Sequence, residues 1–371
     1  MDISVRRLTP WYLLVVLVFA VVAAASVGIA EQHSGVARRA GATPSFIPPT
    51  GFAGYNVEGV PVHQISAQFT VPAASARPLH EGDASTWIGI QQLRGSDFIQ
   101  VGTTESAFGT DEAATIFWSD TQRNFHPQTL TEIKPGDVVA VSMVKGPDGW
   151  RLRAKDLTDD TTYALTVHDD ATAPFDVAEY IQEDPAAGDT PSSDVPYPTV
   201  ATVSFGHVLE NGRAPVLVRA DGTILMSPNG FVAVPTPEAD DGFSVVPPQG
   251  EAARYLRVAS QFDLLDVHFD YDLTRWSSLS ESQRQADVNA MITGLANSTK
   301  AVNDLPGVQD SVKKDFALQN GYLAQQLGQW RAEGLGLSDG AYRRLADPSH
   351  SLLYQRDVDE IRASLGLPPP S

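Results

Sequence analysis

The sequence predicts a mainly β protein followed by a C-terminal α-helical domain. Three observations predict it. Short alternating apolar runs bounded by turn residues fill residues 51–246. No helical periodicity interrupts them. Past Pro248 the apolar spacing changes from two to the helical period of about 3.6.

The first element is apolar. Arg6 and Arg7 precede a run from Trp11 to Ala30 that carries no charge. It is long enough to span a bilayer, and the arginines put its start on the cytoplasmic side. Gly28-Ile29-Ala30 places small residues ahead of Glu31, as signal-peptide cleavage requires. Residues 1–30 are therefore expected to be a signal peptide or an uncleaved membrane anchor. The rest of the chain is expected outside the cytoplasm, secreted or held at the outer side of the membrane. Residues 31–50, rich in Gly, Ala, Pro, Ser and Arg, read as a linker or short pro-segment.

Residues 51–248 form the β part. In "QISAQFTV" Ile65, Ala67, Phe69 and Val71 share one face. "DVVAVSMV" and "WRLRAKDL" flank Pro147-Asp148-Gly149, a hairpin signal. In the second run Trp150, Leu152 and Ala154 face one way, and Arg151, Arg153 and Lys155 the other. "PVLVRADGTILM" predicts another hairpin around Asp221-Gly222. Many short strands at regular spacing mean a sandwich or a barrel.

Residues 249–371 form the helical part. Ser280 and Gln283 make a capping box ahead of Val288, Met291, Ile292, Leu295 and Val302. Val308, Val312, Phe316, Leu323, Leu327 and Trp330 predict a second helix, weakened by Gly321. No site is expected here. His268, among Phe262, Leu264, Leu265 and Phe269, reads as a packed or surface histidine.

The net charge is −19, and residues 1–250 hold most of it, with 29 acidic and 14 basic side chains. That argues against nucleic acid, whose phosphates need clustered Lys and Arg. An acidic surface suits work in acid, and equally suits general solubility. There is no cysteine, which excludes disulfides, thiolate nucleophiles and Cys-ligated zinc. The eight histidines are scattered. No His-Glu-x-x-His helix, Gly-x-Ser-x-Gly elbow or phosphate-binding glycine loop is present, and Asp189-Thr190 runs into Pro191 rather than glycine. No metal or cofactor is expected.

Two polar features remain inside strands. Gln100 interrupts the apolar run of "FIQVGTTES", and a buried amide needs a partner. In "AEYIQEDP" Glu179, Ile181 and Glu183 share one face. Two carboxylates so placed repel, and one can keep its proton to higher pH, as a group acting first as base and then as acid must. On spacing alone, two solvated glutamates are the competing reading.

From about Phe52 to Val246 these pieces, in order, resemble the glutamic peptidases, or eqolisins. "FAGY" with "ISAQFTVP", "STWIGI", "FIQVG", "KPGDVVAVSM", "AKDLT", "AEYIQEDP" and "VSFGHV" each match one of the family's strands. The resemblance implies an antiparallel β-sandwich of the lectin-like jelly-roll kind. It implies Gln100 and Glu183 as a catalytic dyad, with Trp87 lining the cleft and Glu179 and Trp118 on the substrate side. It implies an acid-acting endopeptidase on protein or peptide substrates, without metal or covalent intermediate. Three positions depart from the family pattern. Thr104 stands where an aspartate is usual, Phe117 replaces a tryptophan and Ser119 replaces a glutamate. Asp120 at the next position is a candidate substitute for that glutamate, though in a strand it would point to the opposite face. The altered surroundings favour a second reading, a weak or inactive sandwich that binds peptide or glycan in its groove through Trp87 and Trp118. A third makes the helical part a surface-interaction module.

Overall fold

The structure is a computed structural model. It describes residues 51–369 except 77–80, 109–110, 169–172, 186–196, 227–231, 237–240 and 346–347. The expected leader or anchor and the linker, residues 1–50, lie outside the described residues. Among those described, no helix is long and apolar enough to cross a membrane.

The strands in chain order are β1 (Phe52–Glu58), β2 (Gln64–Thr70), β3 (Ala74–Ser75), β4 (Gly82–Gln91), β5 (Phe98–Phe108), β6 (Asp111–Asp120), β7 (Gln128–Ile133), β8 (Val138–Gly146), β9 (Gly149–Asp156), β10 (Thr161–Val167), β11 (Val177–Glu183), β12 (Thr199–Val200), β13 (Val203–Glu210), β14 (Gly222–Thr223), β15 (Leu225–Met226), β16 (Val232–Pro235) and β17 (Phe243–Val246). Seven make one sheet in the order β14-β1-β11-β4-β5-β6-β7. Eight make a second in the order β10-β9-β8-β2-β13-β17-β16-β15. The pairings are antiparallel throughout.

Alternation decides how the two sheets meet. In β2, Ile65, Ala67 and Phe69 turn inward, as the period of two requires. In β9, Trp150, Leu152 and Ala154 are buried while Arg151 and Arg153 are exposed. The seven-stranded sheet answers with Ile88 and Ile90, Ile99 and Val101, Ile116 and Trp118, Ala178 and Tyr180. Together they form one apolar layer between two antiparallel sheets, a β-sandwich. Each fully buried Ile or Phe contributes roughly 1.5–3 kcal/mol.

One expected hairpin is absent. Residues 215–218 form no strand, and Arg219–Asp221 make a 3-10 turn. Gly222-Thr223 pairs with β1 and Leu225-Met226 with β16. The Asp-Gly chemistry bends the chain there, but each short strand finds its partner elsewhere.

The helices are α1 (Gly250–Thr274), α2 (Glu281–Asn303), α3 (Asp310–Ala332), α4 (Gly340–Leu345) and α5 (Pro348–Ser364). Ser280 caps α2 with the full capping box. α3 runs unbroken through Gly321, because Val312, Phe316, Leu327 and Trp330 are buried on either side of it. Packing outweighs the roughly 1 kcal/mol propensity cost of one glycine. Trp276 and Trp330 stack at 4.9 Å at the centre of a helical core. A second cluster joins Ile224, Met226 and Val234 of the β part to Tyr255, Leu256, Val302, Phe316, Ile361 and Leu367. The helical part is thus packed onto the sandwich, not tethered to it.

Candidate active site

The face of the seven-stranded sheet turned away from the sandwich core carries the candidate residues. Register sets them in rows. Asn56, Glu179, Gly89, Gln100 and Ser119 stand side by side across β1, β11, β4, β5 and β6. One step on come Ile181, Trp87, Gly102 and Phe117, and then Glu183, Ser85 and Thr104. Direct partners in an antiparallel pair share a face. Gln100, Trp87, Glu179 and Glu183 are therefore brought to one surface.

Trp87 is the centre of this surface. Its side chain is fully buried in a small cluster with Phe98, Phe117, Phe125 and Ile181. Two glycines make the room. A Cβ on Gly89 would lie 2.8 Å from Trp87 Cζ3 and 2.9 Å from Phe98 Cε2. A Cβ on Gly102 would lie 2.1 Å from the Thr86 carbonyl oxygen and 2.5 Å from Trp87 Cβ. Glycine in a strand interior here marks close approach. Trp87 Nε1 donates to Glu183 Oε2 at 2.6 Å. Such a bond favours the ionised carboxylate.

Gln100 is 4% exposed. Its Nε2 donates to Ser119 Oγ at 2.7 Å, while its Oε1 is buried and accepts no hydrogen bond from the protein. The amide nitrogen is thus turned towards β6 and not towards Glu183. Gln100 and Glu183 are separated by β4 and by four residues along the strands. By ordinary spacings their Cα atoms stand about 10 Å apart across the strands and about 13 Å along them. The two residues that the resemblance implies as a dyad therefore lie on a diagonal, with the Trp87 indole between.

Glu179 is 4% exposed, and its carboxyl is pushed up to about 8. Burial is the main cause, followed by repulsion from Glu183 and then Glu58. The solvated pair that spacing alone allowed is not what forms: both glutamates are buried.

Trp118 is not on this surface. It pairs with Val101 on the core side, packs in the inter-sheet layer and carries Arg123 over its ring at 4.6 Å. Its expected place on the substrate side is corrected by the period of two, since its neighbour Ser119 points the other way. Asp120 likewise faces away and caps the next turn, accepting from Arg123 N at 2.9 Å. Thr104 stands 3.4 Å from Ser85 through their hydroxyls.

In the helical part His268 is exposed, and its Nε2 lies 3.0 Å from Asp272 Oδ2. Asp287 joins them within 4.8 Å. Arg275 donates to the other oxygen of Asp272 at 2.7 and 2.8 Å, so that carboxylate already has its cation.

Sequence reasoning missed Ser119 as the partner of Gln100, and Gly89 and Gly102 as the space for Trp87. The strand glycines were the available signal.

No curated protein sequence matches the chain. Solved structures similar to it include scytalido-glutamic peptidase with a transition state analog inhibitor, 17% identical, covering 54% of this chain and 98% of that one, with a TM-score of 0.43. SCP-B, a member of the eqolisin family in complex with the tripeptide Ala-Ile-His, is 19% identical over 54% of this chain and 98% of its own, with a TM-score of 0.39. The aspergilloglutamic peptidase from Aspergillus niger is 17% identical over 45% and 99%, with a TM-score of 0.33. The model of the peptidase A4 family matches residues 50–229, the stretch that holds every strand of the site. Trp87, Gln100, Glu179 and Glu183 all lie inside the segment that this family model matches.

Proposed function

We propose that the chain is an exported, acid-acting glutamic endopeptidase that cleaves protein or peptide substrates through Gln100 and Glu183. Ionised Glu183 takes a proton from a water. The resulting hydroxide attacks the scissile carbonyl. Gln100 has two amide protons; one is held by Ser119, and the other donates to the oxyanion. Glu183 then returns its proton to the leaving amine. The cycle needs no metal and no covalent intermediate. The lectin-like jelly-roll connectivity and the division into a sandwich and a helical domain near residue 249 belong to the same reading.

The observation that carries it is the 2.6 Å donation from Trp87 to Glu183, on the buried face that also holds Gln100. A non-catalytic binding groove loses one of its two aromatic walls, because Trp118 lies in the core.

The test is hydrolysis of a denatured protein from pH 2 to 7 with pepstatin and EDTA present. Activity that survives both inhibitors and vanishes in Glu183→Gln and Gln100→Ala is the expected result. A folded wild-type protein inert over that range, also after processing of its N-terminal segment, overturns the reading.

A further inference from the structure

Behind Trp87 and Glu183, on the core side of the same sheet, a line of polar side chains crosses an otherwise apolar layer. Gln182, Thr86 and Thr103 are register partners on β11, β4 and β5. Thr86 Oγ1 lies 3.1 Å from Gln182 Oε1 and 3.3 Å from Glu105 Oε2. Thr103 Oγ1 donates to Glu105 Oε1 at 2.5 Å. Gln182 Nε2 donates to the Tyr197 hydroxyl oxygen at 2.9 Å. Thr86, Thr103 and Glu105 have no exposed surface, and Gln182 and Tyr197 are 1% exposed.

Proton counting gives the line a direction. Thr86 has one hydroxyl proton and two acceptors in reach. If that proton serves Gln182 Oε1, then Glu105 carries its own proton and donates to Thr86 Oγ1. Burial, which holds the Glu105 carboxyl well above its ordinary range, agrees. The chain then runs from Glu105 through Thr86 and Gln182 to Tyr197 with each contact satisfied.

An apolar set of side chains would fill this layer without the roughly 1–3 kcal/mol cost of any polar group left unpaired. A satisfied buried network instead rigidifies what it touches. Thr86 immediately precedes Trp87, and Gln182 immediately precedes Glu183. Fixing the first pair from behind fixes the pitch at which the second pair meets in front. We infer that Thr86 and Gln182, tied through Glu105 and Tyr197, are positioning residues that hold the Trp87–Glu183 hydrogen bond in place. This rests on the proposed role of Glu183, and its test separates the two.

The experiment follows the indole N–H resonance of Trp87 against pH in the full-length ¹⁵N-labelled protein, assigned with Trp87→Phe, alongside hydrolysis kinetics and melting temperature. In the wild type the resonance responds as Glu183 gains or loses its proton. Thr86→Val keeps the shape and removes the hydroxyl. It should move that midpoint upward by about 0.5–1 pH unit, because a carboxylate with a weakened donor is a weaker acid. It should also lower kcat about tenfold with KM within about twofold. Thr86→Ser should restore both. Tyr197→Phe should move the midpoint the same way and stands in if Thr86→Val does not fold. A variant that melts earlier but keeps the wild-type midpoint overturns the inference, leaving the network a scaffold only. A Trp87 resonance indifferent to pH in the wild type overturns it as well. A shifted midpoint in a protein that hydrolyses nothing upholds the positioning and removes the peptidase reading alone.

Discussion

Trp87 Nε1 reaches Glu183 Oε2 diagonally, since Trp87 is the register partner of Ile181 and Glu183 that of Ser85. A hydrogen bond to a buried carboxylate is worth about 1.5–3 kcal/mol. Trp87→Phe keeps an aromatic ring and removes the donor. The expected outcome is a kcat lower by roughly 10- to 100-fold with little change in KM. The acid limb of the pH–rate profile should also move to higher pH. An unchanged acid limb would show that the indole does not support the ionised glutamate.

Gly89 is the floor beneath that indole. An added Cβ meets the edges of both Trp87 and Phe98 below 3 Å, and these rings already pack edge to face at 5.5 Å. Gly89→Ala should cost about 1–3 kcal/mol by overpacking and lower activity by displacing Trp87. Gly102→Ala meets backbone, not ring edges, and should fold poorly. Thermal unfolding of the two variants, with kcat measured on the folded Gly89→Ala protein, checks the order.

Ser119 is the one protein partner of the Gln100 amide nitrogen among the described residues. Ser119→Ala leaves that buried N–H unpaired at a cost of about 1–3 kcal/mol, and Gln100 loses its anchor. Activity should fall more than stability, and Ser119→Thr should recover part of it. If Ser119→Ala is as active as the wild type, Gln100 is held by packing instead.

How much of this was legible in the sequence depends on distance along the chain. The two-period within each strand put Glu179 and Glu183 on one face, and separated Trp118 from Ser119 as soon as Ser119 is placed on the site side. The error at Trp118 came from reading a motif as a patch. The alignment of strands distant in sequence was not legible. β11 lies beside β4 across some ninety residues, so the Trp87–Glu183 bond and the Thr86–Gln182 contact needed the register itself. Helix α1 was only implied by the change of pattern, because its acids Asp263, Asp266 and Asp270 interrupt the apolar stripe.

The helical part should not be removable without cost. Ile224, Met226 and Val234 are buried against it, and Arg219 pairs with Asp359 at 2.5 Å and donates to the Leu367 carbonyl at 2.8 Å. Truncation after Pro248 exposes this apolar face, and such a patch drives association. The shortened protein should aggregate or melt well below the full chain. A monomeric, equally stable fragment would mean that the contact is incidental to the sandwich.

Acid should stabilise the whole molecule. Glu179 has an ordinary value of 4.5 and is raised to about 8 in the fold. Asp263 and Asp270 are raised to about 6, and Asp266 is held well above its ordinary range, in each case chiefly by burial. The folded state therefore binds these protons more tightly than the unfolded chain does. Stability from this source is complete below about pH 4 and is lost as pH rises through 6 towards 8. For Glu179 alone the swing is on the order of a few kcal/mol. Glu179→Gln, neutral at every pH, should flatten the upper part of the curve while leaving the slope near pH 6 that the α1 acids produce. Urea midpoints at pH 4, 6 and 8 in wild type and variant measure both parts. A wild-type midpoint that rises from pH 4 to 8 would mean that these carboxyls ionise freely within the fold.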